Sequence, residues 1–184
     1  MPKPITGKIK LKKPTRHTAL SLVALVLWCA FIFYMSARVA QDSDALSLGF
    51  AGRFLHLVVP GFSDMSAADQ LALAKSINHP VRKLAHFTEY LVLGMLAINA
   101  LRLHMGSSER DSEDRATAPF RNLRIPVLSW AFCVLYAASD EFHQLFVPGR
   151  AGLITDVCID SAGALLGILL FLIALQLISR RAKR

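Results

Sequence analysis

The sequence predicts an all-α membrane protein with four spanning helices, and three observations support this fold class. Hydrophobic residues make up 54% of the 184 residues and charged residues only 18%, whereas soluble domains carry about a quarter charged residues. The apolar residues are grouped in four runs of about 20 residues, the length that a helix needs to cross a hydrocarbon core. Basic residues gather at 1–17, 102–124 and 179–184.

The four predicted spanning helices occupy residues 18–36, 84–103, 125–147 and 156–178. Each run is long enough for a hydrocarbon core of about 30 Å, and we interpret 18–178 as a single membrane domain. Buried helices of a soluble protein are the alternative, which four separate apolar runs of this length disfavour.

The basic residues predict the topology, because cytoplasmic segments of membrane proteins are enriched in Lys and Arg. We expect basic cytoplasmic tails at 1–17 and 179–184, a cytoplasmic loop at 104–124, and an outer loop at 37–83. Both termini then lie inside. The net charge of +8 is accounted for by topology signals and contacts with anionic membrane lipids, and we expect no nucleic-acid partner.

The outer loop is predicted to contain short helices. Residues 46–57 are apolar with sparse polar breaks, a pattern typical of an amphipathic helix lying along the membrane interface. Ser66 and Asp69 have the spacing of a capping box and predict a second short helix. The dipeptide His79-Pro80 predicts a separate helix start just before the second span.

Ionisable residues gather at one end of three of the four segments. The second segment opens with 82–90, the third closes with 139–144, and the fourth opens with Asp156 and Asp160. Ionisable groups at membrane depth cost at least about 2.5 kcal/mol each unless they are paired or hydrated, so they indicate a functional site. The predicted topology places all three ends at the outer mouth of the bundle.

The chemistry of these residues suits proton transfer and anion binding. Imidazole and carboxylate groups titrate near neutrality when their environment shifts them, which favours Glu89, Asp140 and His143 as an acid–base core, with His86 orienting or ligating. Helical spacing directs Glu141 away from the Asp140 stripe. The predicted substrate-binding residues are Arg82, Lys83, Gln144, Arg150, Asp156 and Asp160.

Each of these assignments has a structural alternative. The cations can form internal salt bridges with the acids, and the His and Glu residues can form a hydrogen-bonded plug between helices. A divalent cation is a further hypothesis, since carboxylates suit magnesium or calcium and imidazole suits zinc. The sequence lacks an HExxH pattern and leaves the metal and any cofactor unknown.

Three blocks of this sequence resemble the VanZ-like family. The blocks are Arg82-Lys83-x-x-His86-Phe87-x-Glu89-Tyr90, then Asp140-Glu141-x-His143-Gln144-x-Phe146-Val147-Pro148-Gly149-Arg150, and then Asp156-Val157-x-Ile159-Asp160-x-x-Gly163-Ala164-x-x-Gly167. The resemblance covers about residues 20–178 and implies a small multi-pass protein of the bacterial inner membrane, in a family whose namesake is linked to teicoplanin resistance. In one departure, Ala151 and Leu153 stand where the resemblance implies hydroxyl residues after the arginine.

Two functional hypotheses follow. In the first, a site facing the periplasmic or extracellular side binds or modifies an anionic lipid-linked envelope component and alters sensitivity to envelope-directed antibiotics. In the second, the polar cluster is structural and the protein is a non-enzymatic scaffold that binds lipids or a partner. Ion transport fits less well, because the polar groups gather at one end of the bundle. The sequence leaves open whether the protein is an enzyme and whether it forms oligomers.

Overall fold

The computed structural model describes residues 15–38, 40–106 and 123–182. These residues form five α-helices and one short 3-10 helix, and contain no strand. The helices are α1 (Arg16–Ser36), α2 (Ala40–Val58), α3 (Ala67–Gly106), α4 (Arg124–Gln144) and α5 (Ile154–Arg181), with the 3-10 helix at Phe62–Asp64. The predicted all-helical fold class is confirmed.

Four of these helices, α1, α3, α4 and α5, are long and apolar enough to cross a membrane. Their exposed surfaces carry large apolar side chains, such as Leu27 on α1 and Leu135 on α4, as a surface facing lipid requires. The inside location of the termini and the interfacial position of 46–57 stay predictions. Most of the predicted basic tail at 1–17 and of the loop at 104–124 lies outside the described residues.

The central helix α3 is much longer than the predicted second span at 84–103. Its 40 residues rise about 60 Å at 1.5 Å per residue, roughly twice the thickness of a hydrocarbon core. An upright α3 would therefore extend past the hydrocarbon core over about half of its length. The alternative is that the whole helix crosses the core at a steep tilt. The helix also contacts each of the other four helices, which makes it the centre of the fold.

The predicted capping box at the start of α3 is confirmed, but the predicted helix start at His79-Pro80 is wrong. The Ser66 hydroxyl accepts a hydrogen bond from Asp69 N at 3.2 Å and donates one to Asp69 Oδ2 at 2.7 Å. Pro80 lies inside the helix. Pro in a helix interior costs about 3 kcal/mol, and tertiary packing on both sides of it offsets that cost.

That packing comes from α2, which forms a helical hairpin with the first part of α3. Ala51 and Leu55 of α2 are buried against Ala74 of α3, and Ile77 and Val81, on either side of Pro80, pack on the same cluster. The region predicted as a loop at 37–83 is therefore a packed hairpin with its own small core.

The other half of α3 packs against α5 at unusually short distance. A Cβ atom on Gly167 would collide with the backbone carbonyl of Leu91, and one on Gly163 would collide with that of Phe87. On α3, a Cβ atom on Gly94 would likewise collide with the backbone carbonyl of Ala164 on α5. The close contact predicted from the Gly163 and Gly167 spacing is confirmed.

We expect Gly167→Ala to lower the thermal unfolding midpoint in detergent, because its methyl group has to push the two helices apart. Overpacking of this kind costs about 1–3 kcal/mol. Gly49→Ala on α2 is the matched control, since a Cβ at this helical glycine meets nothing within 4 Å. Alanine there should leave the midpoint unchanged or raise it. Equal losses in the two variants would contradict the close-packing explanation.

Candidate functional site

The helix ends that carry the predicted site residues meet at one end of the bundle. Asp160 of α5 is fully buried and interacts electrostatically with Asp140 and Glu141 of α4 and with Glu89 of α3. The close approach of α3 and α5 places the start of α5 beside the middle of α3. Three segments that are distant in sequence thus contribute to a single polar cluster.

The acids of this cluster are buried with few hydrogen bonds. Asp140 and Asp160 are 3% and 0% exposed, and no described residue forms a hydrogen bond of standard geometry with their carboxylate oxygens. Ser36 and Gln144 are the polar neighbours of Asp140. Buried carboxylates without partners are unfavourable for folding, which is typical of groups kept for a function.

Glu141 also belongs to the cluster, and it contacts the link before α5 rather than the Ser36 and Gln144 side chains that surround Asp140. The side chain is 5% exposed, and its Oε2 accepts a hydrogen bond from Leu153 N at 2.7 Å. The backbone of Gly152 lies directly against the Glu141 carbonyl, where a Cβ atom would collide. Helix α4 packs on α1, α3 and α5, so its buried surface is wider than one stripe.

The link between α4 and α5 is shaped by a tight turn that positions Arg150. Arg150 N donates to the Val147 carbonyl at 3.1 Å across Pro148 and Gly149, and Gly149 has a φ of 76°. Proline followed by a glycine with positive φ is the sequence signature of a type II turn. Arg150 Nε then donates to the carbonyl of Arg38 at 3.3 Å, which joins the link to the end of α1.

Two of the predicted anion-binding cations form internal ion pairs. Lys83 Nζ lies 2.6 Å from Asp156 Oδ1, and Arg82 lies 3.2 Å from Asp44 of α2. Lys83 and Arg82 therefore fit the structural alternative, in which the cations form internal salt bridges with the acids. Arg150 forms no ion pair within the described parts of the chain.

Burial, followed by the nearby Arg82 charge, lowers the pKa of the Arg150 guanidinium from its ordinary value. An arginine nevertheless stays protonated in proteins, so a positive charge is held at a half-buried place beside another cation. An anion bound there would relieve both unfavourable effects.

A cavity of about 240 Å³ lies among the end of α1, α2, α3 and the Arg150 turn. Four of the predicted site residues line it: Arg82, His86, Glu89 and Arg150. The remaining lining residues are Met35, Ser36, Arg38, Leu46, Ser47, Phe50, Val81 and Ala85. His86 Nδ1 is buried and has no hydrogen-bond partner among the described residues.

The floor of the cavity is anchored to α1 by a tryptophan. Trp28 Nε1 donates to the backbone carbonyl of Glu89 at 2.9 Å, which fixes α3 against α1 one turn below His86. Between α4 and α5, Trp130 Nε1 donates to the Ser161 carbonyl at 3.0 Å. Each tryptophan therefore joins two helices through a backbone acceptor.

The other predicted site residues do not line this cavity. The His143 ring packs on Phe33 of α1 with centroids 4.6 Å apart, and Gln144 Nε2 donates to Ser36 Oγ at 3.1 Å. Asp140, Asp156 and Asp160 lie in the buried cluster beside the cavity. Both histidines are thus near the site, but only His86 faces the space where a ligand fits.

The polar side chains near the site that sequence reasoning did not assign to it are Tyr90, Ser36 and Arg38. Tyr90 is fully buried, and its hydroxyl lies in electrostatic range of Asp140 and Asp160 without a hydrogen-bond partner in the described chain. Its four-residue spacing from His86 was the available signal. Nothing in the sequence indicated that Ser36 and Arg38, at the end of α1, meet the other blocks.

Two further observations limit where a ligand binds. Among residues 15–38, 40–106 and 123–182, no group of three or more His, Cys, Asp or Glu side chains converges as a metal site. A larger cavity of about 630 Å³ lies between α2 and the first part of α3, and none of the predicted site residues lines it. The smaller cavity is therefore the candidate site.

Comparison with protein families gives one match. The family model described as VanZ/LLP1 matches residues 21–175, which include all of α3 and α4, most of α1 and α5, and every predicted site residue. Curated proteins and solved structures gave no match.

We expect Lys83→Met and Asp156→Asn to be coupled in a double-mutant cycle of thermal unfolding. Each single change leaves a partly buried charge unpaired, whereas the double change removes both, so the double loss should be smaller than the sum by about 0.5–3 kcal/mol. Arg82→Met with Asp44→Asn is the control, because that pair is more exposed and should show a coupling below about 1 kcal/mol. Additive losses for Lys83 and Asp156 would show that their ion pair does not stabilise the fold.

Proposed function

The chain belongs to the VanZ/LLP1 family, and on that premise we propose that it binds the anionic headgroup of a lipid-linked envelope component in the cavity of about 240 Å³. In this proposal the cavity faces the periplasmic or extracellular side of the inner membrane. Binding there alters the sensitivity of the cell to envelope-directed antibiotics.

The observation that carries this proposal is the position of Arg150. Its guanidinium lines the cavity, is half-buried, and has no carboxylate partner among the described residues. A guanidinium binds phosphate or carboxylate through paired hydrogen bonds, which makes it well suited to an anionic headgroup. Arg82 lines the same cavity and, although paired with Asp44, adds positive charge at its wall.

Acid–base chemistry in this cavity falls to Glu89 and His86, the two titratable side chains besides the arginines that line it. A carboxylate and an imidazole can together accept and donate a proton at a bound group. Asp140 and Asp160 do not line the cavity, and Asp140 is within electrostatic range of the Arg150 guanidinium. His143, bound to Phe33 by ring contact, is assigned a packing role.

The scaffold alternative is favoured by the ion pair between Lys83 and Asp156 and by the bond from Trp28 to the Glu89 carbonyl. Both contacts hold helices together irrespective of any ligand. Neither contact uses the Glu89 carboxylate or the Arg150 guanidinium, whose Nε donates instead to the Arg38 carbonyl, so the two functions can be separated by changing these side chains.

We expect Glu89→Gln to keep or raise the thermal unfolding midpoint and to abolish the protein's effect on antibiotic sensitivity. Neutralising a carboxylate that is held for function removes an unfavourable buried charge, whereas neutralising a structural one removes support. The measurements are detergent unfolding and growth inhibition by a glycopeptide in cells that express either form. Thr88→Val, on the adjacent exposed position, is the control and should change neither. A clear loss of stability in Glu89→Gln would favour the scaffold.

The proposed orientation is tested separately with reporter fusions. Alkaline phosphatase fused after Met65 should be active, because this enzyme matures only outside the cytoplasm, whereas the same reporter fused at the C-terminus should be inactive. A fluorescent protein fused at the C-terminus should give the reciprocal signal. Activity of the C-terminal phosphatase would place the cavity on the cytoplasmic side.

A further inference from the structure

The candidate cavity has two chemically different sides. Arg150 and His86 supply its polar side, together with Arg82 and Glu89. Leu46 and Phe50 of α2 supply an apolar side, with Met35 of α1 next to them. A soluble anion would contact only the polar side. A lipid can bind the polar side with its headgroup and the apolar side with its hydrocarbon chain.

The apolar side is also where the cavity opens. Leu46 and Phe50 line the cavity although 37% and 62% of their surfaces are exposed, so the opening lies beside them. Phe54 and Leu57 continue the same exposed row at helical spacing, with exposures of 55% and 85%. The opening therefore leads onto a continuous apolar face of α2.

The packing of α2 keeps this opening accessible. Helix α2 is held mainly by α3, through Ala51 and Leu55 on its other face. On α3 the cavity lies near Leu84, which is 64% exposed and begins the apolar run predicted to span the membrane. The predicted start of the second span therefore puts the opening level with the edge of the hydrocarbon layer.

The volume of the cavity limits the headgroup. About 240 Å³ is below the range of about 300–1,000 Å³ that holds drug-sized ligands, and it equals the volume of about eight waters at ~30 Å³ each. A phosphate or diphosphate group fits inside this space, whereas a phosphate that carries a sugar fills or exceeds it and has to extend through the opening.

We infer that the cavity takes the phosphate group of a membrane lipid that carries no sugar, and that this lipid enters sideways through the opening beside Leu46 and Phe50. Its hydrocarbon chain stays on the apolar face of α2. This inference rests on the proposed function, and it adds the class of lipid and the route of entry. Arg150 is the residue that holds the phosphate, while His86 and Arg82 complete its surroundings.

The test uses the full chain in a non-ionic detergent and four probes. Dioctanoyl phosphatidic acid presents a bare phosphate on a lipid, dioctanoyl phosphatidylinositol presents a ring-bearing phosphate on the same chains, dioctanoylglycerol lacks the phosphate, and inorganic phosphate lacks the chains. Binding is measured by native mass spectrometry and by titration calorimetry. We expect phosphatidic acid to bind at least about tenfold more tightly than each of the other three probes.

Two pairs of variants separate the polar and apolar sides. Arg150→Gln should weaken phosphatidic acid about tenfold or more, because a hydrogen bond to a charged group is lost, and Arg150→Lys should restore part of the affinity. Phe50→Asn should weaken phosphatidic acid and leave inorganic phosphate unchanged. Leu135→Asn is the matched control, since Leu135 is similarly exposed but lies on α4, away from the cavity and from the apolar face of α2, and it should have little effect.

The outcomes distinguish this inference from the function on which it rests. Inorganic phosphate that binds as tightly as phosphatidic acid, with no effect of Phe50→Asn, would overturn lateral entry of a lipid and leave the anion site standing. Phosphatidylinositol that binds as tightly as phosphatidic acid would overturn the limit on headgroup size. If no phosphate-bearing probe binds the wild-type protein, the proposed function fails together with the inference.

Discussion

The close approach of α3 and α5 determines how the acids at the start of α5 meet the polar residues of α3. Gly163 and Gly167 let the two backbones meet without intervening side chains, with Gly94 doing the same from α3. Lys83 can reach Asp156 only because the helices are this close, and Asp160 is buried for the same reason. Bulkier residues at these positions would separate the acids of α5 from the cations of α3.

The distribution of unpaired and paired groups divides the polar region into two parts. The first part contains the groups with partners. Lys83 and Arg82 form ion pairs, and Glu141 accepts a hydrogen bond from a backbone N–H. The second part contains the buried carboxylate oxygens of Asp140 and Asp160, which form no hydrogen bond of standard geometry with the described residues. A network built only for stability would be expected to satisfy its most deeply buried members first.

Several features of the fold and site were predictable because they depend on periodicity and spacing. The first span was predicted at 18–36 and is observed at Arg16–Ser36, and the glycine contact followed from two residues four positions apart. The meeting of three polar helix ends also followed, since alternate crossing directions bring those ends together. Each of these features is determined by the residues of one segment or by the order of the segments along the chain.

Features that depend on a neighbouring helix were not predictable in this way. The sequence around Pro80 predicts a helix start at this residue. The helix continues through Pro80 because Ile77 and Val81, on either side of it, pack against α2. The hydrogen-bond partner of Glu141 was not predictable either, because it is a backbone N–H of the link that folds back against α4. Whether Lys83 pairs with an acid or faces a ligand depends on the distance to Asp156, which no sequence pattern gives.

The bond between Trp28 and the Glu89 carbonyl has a spectroscopic consequence. The chain contains two tryptophans, and both indole nitrogens donate to helix carbonyls, one to Glu89 beside the cavity and one to Ser161 beside the buried Asp160. Indole emission responds to the polarity and charge around the ring. The protein therefore carries an intrinsic fluorophore at each of two parts of its polar region, the cavity and the buried acidic cluster.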